Sequence, residues 1–171
     1  TRISINPQTL NNETLEKIGR KHTAEDFYKR FCEAREAGFF NINTDLIAGL
    51  PGETPEMFYK SVDGVLALSP ENVTVHSMCI KRAARLNLSG IGLSPEDYIQ
   101  KMLSYAAKKM KEKDMLPYYM YRQKNISGNS ENVGYAKEGF MSFYNINIME
   151  EAQTIIALGG GGSSKLVMDG R

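Results

Sequence analysis

The first half of the chain alternates strand-like and helix-like segments, and this alternation limits its fold more than any other feature. "RISIN" (Arg2 to Asn6) is a short β-rich run ended by Pro7. "NNETLEKIG" then offers a short helix with Asn12 as its cap, Leu15 and Ile18 on one face, and Gly19 at its end. "TAEDFYKRFCEAREAG" is a stronger helix. Thr23 is a good cap, Glu25 and Asp26 occupy the first turn, and Phe27, Phe31 and Ala34 follow at i, i+4 and i+7. Gly38 stands where helices commonly terminate. Phe40 to Ile47 reads as a second strand. The next helix takes Thr54 as cap and Pro55 at its first position, buries Phe58, Val62, Val65 and Leu66, and is closed by Pro70. Asn72 to Ile80 ("NVTVHSMCI") is a third strand. Strand starts recur about every 30–40 residues, the spacing of parallel βαβ units. Right-handed crossovers then set the three strands side by side in the order one, two, three.

The pattern changes beyond this point. "LNLSGIGLSP" reads as a loop, and Ser94-Pro95 begins a helix through Lys113 with Ile99, Met102, Leu103, Ala106 and Met110 inward. "LPYYMYRQ" is aromatic and strand-like, "KNISGNSENVGYAKEG" is a long polar loop, and "TIIAL" is a last apolar strand leading into "GGGGSSK". The expected fold is α/β. Residues 1–86 form the C-terminal half of a partial (β/α) barrel with parallel strands, and residues 87–171 start an α+β C-terminal region. The chain begins at Thr1 without an initiator Met and stops at "LVMDGR", so it reads as a piece of a longer protein. An open barrel edge at the first strand is then expected to recruit a second copy or a covering element.

Composition excludes some classes. A formal net charge of +1 gives no electrostatic case for nucleic acid as a partner. No apolar run approaches the roughly 18 residues of a membrane span, and the N-terminus has no signal-peptide pattern. The two cysteines, Cys32 and Cys79, match no Cys-x-x-Cys motif, which favours a reduced, cytoplasmic setting and gives no metal site.

In barrels of parallel strands the ligand sits at the C-terminal strand ends. Gln8, Asp45 and Cys79 fall there. Asp45 is the informative one, because it lies among Ile42, Leu46 and Ile47 just before a Gly-Leu-Pro-Gly turn. A buried carboxylate needs a partner, and a ligand with hydroxyl or amine donors supplies one. His76 reads as a core histidine and Cys32 as helix core.

"DLIAGLPGETPEMF" resembles the fifth-strand motif of radical S-adenosylmethionine (SAM) enzymes. "RISINPQTLNNETLEKIGRKHT" resembles the fourth strand of the oxygen-independent coproporphyrinogen III oxidase family. "PYYMYRQKN", "ENVGYAKEG" and "EEAQTIIALGGGGSSK" resemble its coproporphyrinogen dehydrogenase branch. The resemblance covers essentially the whole chain. It implies that Gln8, Arg20, Asp45 and Cys79 contact SAM. The Gly-rich run after "TIIAL", with Gly161 and Gly162, reads as a close backbone contact with the adenine edge of that cofactor. It also implies a [4Fe–4S] cluster held by three cysteines upstream of Thr1, outside this chain. No catalytic residue is assigned. Lys81, Arg82, Arg85, Arg122 and Lys124 are candidates for holding the propionates of a tetrapyrrole.

The implied reaction of the parent protein is oxidative decarboxylation of coproporphyrinogen III to protoporphyrinogen IX by radical SAM chemistry, with an electron donor or acceptor as partner. This piece alone lacks the cluster site. The alternatives are a haem-binding, haem-delivering relative and another radical SAM enzyme such as a methylthiotransferase. A non-catalytic flavodoxin-like module is a third, but "NPQTLNNE" lacks its phosphate-binding pattern.

Overall fold

The computed structural model of the chain describes residues 1–78, 95–121 and 131–167. Its elements are β1 (Arg2–Ser4), α1 (Asn12–Lys17), α2 (Ala24–Glu36), β2 (Asn41–Ala48), α3 (Pro55–Ala67), β3 (Asn72–Ser77), α4 (Glu96–Glu112), β4 (Leu116–Tyr121), β5 (Asn132–Ala136) and α5 (Phe143–Met149). The described strands form one five-stranded sheet in the order β1-β2-β3-β5-β4. The first three are parallel and adjacent as the crossover rule requires, with Ser4 opposite Asn43 and Asp45 opposite Thr74. β5 then runs antiparallel to both β3 and β4.

Period-two alternation assigns the two faces of β2. Ile42, Thr44, Leu46 and Ala48 are fully buried and belong to the helix-covered side. There they share a core with Phe58, Val62 and Val65 of α3, Val73 and Val75 of β3, and Phe27 and Phe31 of α2. Met102, Ala106 and Met110 of α4 and Tyr135 of β5 join the same core, so residues on both sides of position 86 pack together. Each fully buried large apolar side chain contributes about 1.5–3 kcal/mol.

Caps fix where the helices begin. Thr23 and Thr54 both accept from the backbone three residues on, as their sequence positions predict. The first helix is a correction. Its cap is Asn11, which accepts from the Thr14 N–H at 3.2 Å, while Asn12 instead accepts from the Ala24 N–H at 2.8 Å and ties α1 to α2. β1 is also shorter than expected and ends at Ser4. Pro7 has no N–H to give the ladder, and pairing resumes at Gln8, which bridges Leu46.

Two further expectations change. "NVGYA" is not loop but β5, a strand paired on both sides. "TIIAL" is not a strand. Only an isolated bridge between Ile155 and Lys165 forms, and Ile156 and Leu158 are 74% and 93% exposed. High strand propensity cannot build a strand where no neighbouring backbone presents a ladder. The end of the third strand expected to reach Ile80, and the loop beginning the α4 segment, lie outside the described residues.

Candidate functional site

The face of the sheet opposite the helices is polar. Arg2 and Ser4 of β1, Asn43 and Asp45 of β2, and Thr74 and His76 of β3 share it with Tyr119 of β4 and Asn145 of α5. Together they line a cavity of about 220 Å³.

A hydrogen-bond chain crosses this face. The Asn43 side-chain amide donates to Asp45 Oδ1 at 2.8 Å and to Ser4 Oγ at 3.4 Å. Thr74 donates to Asn43 Oδ1 at 3.3 Å, which leaves Tyr119 as the donor in its 3.3 Å contact with Thr74. His76 Nε2 stands 3.8 Å from Asp45 Oδ2. Burial alone would raise the Asp45 pKa, but His76 and Asn43 favour the anion, and the net result is a carboxyl below its ordinary value. Asp45 is thus an ionised acceptor, 21% exposed, with Oδ2 free of any short hydrogen bond to His76. It is built to accept from hydroxyl or ammonium donors.

Gln8 lies directly beside Asp45. Its N–H donates to the Asp45 carbonyl at 3.0 Å and its carbonyl accepts from the Ile47 N–H at 2.9 Å. Gln8 adopts φ +68°, unusual for a non-glycine residue and supported here by bonds on both sides. Thr9, the next residue, donates to the buried Glu53 carboxyl in the turn after β2, so the two loops above the strands are held together. Burial pushes the Glu53 carboxyl up, and the Thr9 and Thr14 hydroxyls offset part of that.

Among the described residues, Arg20, Gly161 and Gly162 do not line this cavity. Arg20 is an exposed residue just past α1, its N–H bonded to the Leu15 carbonyl. Gly161 and Gly162 form the turn between Ile155 and Lys165, and Lys165 anchors that turn to the end of α5 through Glu151 and the Ile148 carbonyl. Cys79, Lys81, Arg82, Arg85, Arg122 and Lys124 lie outside the described residues.

His76 is a correction. It faces the cavity with Asp45 and is not a core histidine. Cys32 is likewise exposed on α2 and not part of its core. Asn43, Thr74, Tyr119 and Asn145 were not anticipated. The polar i, i+2 pairs Arg2/Ser4, Asn43/Asp45 and Thr74/His76 carried the signal for three strands.

The residues present fit SAM in one respect, the ionised Asp45 aimed at a polar cavity. They do not fit an iron–sulfur cluster. The chain holds two cysteines, and no group of three or more metal-binding side chains occurs among the described residues.

Parallel strands with helices on one face and a polar, acid-bearing opposite face fit part of a radical SAM barrel, and residues 1–64 match the Radical SAM superfamily. Within it, the chain is similar along almost its whole length to oxygen-independent coproporphyrinogen III oxidase-like proteins. It is 47% identical over 168 residues to the oxygen-independent coproporphyrinogen-III oxidase-like protein HemZ of Bacillus subtilis, covering 97% of this chain and 34% of that protein. It is 31% identical over 156 residues to the heme chaperone HemW of the same organism, covering 89% of this chain and 38% of that protein. Among solved structures, coproporphyrinogen III oxidase (HemN) from Escherichia coli shares the fold with a TM-score of 0.71 at 19% identity, covering 95% of this chain and 38% of that one. The chain therefore spans little more than a third of the length of each of these three proteins.

Proposed function

We propose that the full-length protein carries out oxygen-independent oxidative decarboxylation of coproporphyrinogen III to protoporphyrinogen IX, and that this chain supplies part of its SAM and substrate sites. The observation that carries the reading is the ionised Asp45 at the C-terminal end of β2, in a polar cavity, within a chain similar to coproporphyrinogen oxidase-like proteins. SAM, once bound and cleaved to methionine by one electron from the cluster, would supply the 5′-deoxyadenosyl radical that takes a hydrogen atom from the substrate.

This chain's part is positioning. Asp45 accepts from the ribose hydroxyls or the ammonium group of SAM, and Asn43 and His76 hold it ionised and oriented. Gln8 joins that contact from the loop after β1. Arg20 is assigned the methionyl carboxylate, Cys79 the end of the third strand, and Gly161 and Gly162 the adenine edge. Each of these assignments rests on the resemblance. The [4Fe–4S] cluster is assigned to cysteines outside this chain. An electron acceptor completes the reaction, and β1, the edge strand of the described sheet, offers a surface for self-association. The cytoplasm is the proposed compartment.

A second reading has its own support in the likeness to the heme chaperone HemW: haem binding and delivery without decarboxylation. Anaerobic incubation of the reconstituted full-length protein with coproporphyrinogen III and SAM separates the two. Conversion to protoporphyrinogen IX supports the oxidase. Stoichiometric haem binding without turnover supports the carrier.

A further inference from the structure

Asp45, Thr74, Gly134 and Tyr119 stand opposite one another in a single row across β2, β3, β5 and β4. Strands lie about 4.8 Å apart, so the Tyr119 backbone is roughly 10 Å from that of Thr74. Its hydroxyl nevertheless comes within 3.3 Å of Thr74 Oγ1. Two features of the sequence allow this. Gly134, the residue between them, has no side chain, and the Tyr119 ring lies in the space that a Cβ would fill. A bulge between Pro117 and Tyr119 inserts Tyr118 into β4, which places Tyr119 rather than Tyr118 opposite Gly134.

The hydrogen bonds from this row to the acid have one direction. A carboxylate only accepts, so the Asn43 amide nitrogen faces Asp45 Oδ1 and the Asn43 oxygen turns away. Thr74 gives its only side-chain proton to that oxygen, and Tyr119 donates to Thr74 in turn. Every proton from Tyr119 to Asp45 therefore points toward the carboxylate, and bonds aligned in this way strengthen one another. Burial pushes the Tyr119 phenol up, so it keeps the proton that starts the chain. The other charged or titratable groups lining the cavity, among the described residues, are Arg2 of β1 and His76 of β3, while Asn145 of α5 is neutral.

We propose that Tyr119 is a positioning residue for Asp45, acting through Thr74 and Asn43 to hold Oδ1 engaged and leave Oδ2 to a ligand. A strand outside the parallel set thereby tunes the acid within it. The relay itself rests on the geometry of the row. Its effect on SAM rests on the reading of Asp45 as an acceptor for that cofactor.

The test uses the full-length protein, reconstituted anaerobically, with two measurements on each variant. The Asp45 carboxyl is titrated by 13C NMR of labelled aspartate, with Asp45→Asn identifying its signal, and SAM affinity is measured by calorimetry. Tyr119→Phe keeps the ring over Gly134 and removes only the donor. In it the carboxyl should titrate at higher pH than in the wild type, and SAM affinity should fall about threefold to tenfold, the range of one lost hydrogen bond. Thr74→Val should do at least as much, whereas Thr74→Ser, which keeps the hydroxyl, should behave as the wild type. Adding Tyr119→Phe to Thr74→Val should change neither measurement further, because the relay is already cut. An Asp45 titration that ignores Tyr119→Phe, or that Tyr119→Phe shifts equally in the presence of Thr74→Val, overturns the relay. If Thr74→Val does not fold, the titration in Tyr119→Phe decides the question alone. A shifted titration with unchanged SAM affinity upholds the relay and removes the reading of Asp45 as the SAM acceptor.

Discussion

Asp45 and His76 face each other across the β2–β3 pair, with 3.8 Å between Oδ2 and Nε2. The contact exists because β3 is in register two residues on: Asp45 is opposite Thr74 and Ile47 is opposite His76. It keeps the acid charged against the pull of burial. The same geometry leaves Oδ2 available to a ligand, which a tight ion pair would not.

Replacing His76 by Phe removes the imidazole and keeps the burial. The Asp45 carboxyl should then titrate at higher pH than in the wild type. A depressed carboxylate pKa gives a contribution that is present above the unfolded value of about 3.9 and is lost as pH falls through the folded value. On acidification, SAM affinity in His76→Phe should therefore begin to fall at a higher pH than in the wild type. Superimposable pH profiles would show that His76 does not hold the charge.

Gly134 lies against the face of Tyr119. A Cβ there would come within 1.9 Å of the ring carbon Cε1. Gly134→Ala should displace Tyr119 from Thr74 and the cavity, costing about 1–3 kcal/mol from overpacking. Thermal unfolding of wild type and variant measures this. An unchanged melting temperature would mean that the ring moves aside freely.

Glu53 is 2% exposed, and its Oε2 has no hydrogen-bond partner. Its pKa is raised by burial, so its contribution to stability is complete below the unfolded pKa of about 4.3 and is lost as pH rises through the folded value. Glu53→Gln keeps an acceptor for Thr9 and removes the charge that burial disfavours. The variant should gain stability relative to wild type as pH increases from 4 to 8. A stability difference independent of pH in denaturant titrations would rule this out.

The order of β1, β2 and β3 was legible because its determinants are local. Thr23 and Thr54 announce helix starts, apolar residues recur at helical spacing, and crossovers have one hand. β5 was hidden because "NVGYA" looks like loop: Gly134 is there to seat Tyr119, and its ladder comes from strands distant in sequence. "TIIAL" erred in the opposite direction, with strand propensity but no backbone to pair with. At the site, Asp45 was legible as an acid needing a partner. His76 was misread because Val73 and Val75 around it suggested a strand buried on both faces, whereas alternation turns His76 to the polar side. Tyr119 and Asn145 come from elements that the chain brings back by long-range pairing, and no local pattern reports that.

The central claim is that Asp45 is a charged acceptor for SAM, and calorimetric titration of the reconstituted full-length protein tests it most directly. Asp45→Asn keeps the side chain's shape while removing its charge and one acceptor face. Loss of a hydrogen bond to a charged group costs about 1.5–3 kcal/mol, so SAM affinity should fall by about one to two decades while cluster content stays constant. Wild-type SAM affinity in Asp45→Asn would contradict the account and leave Asp45 as a structural acid held by Asn43 and His76.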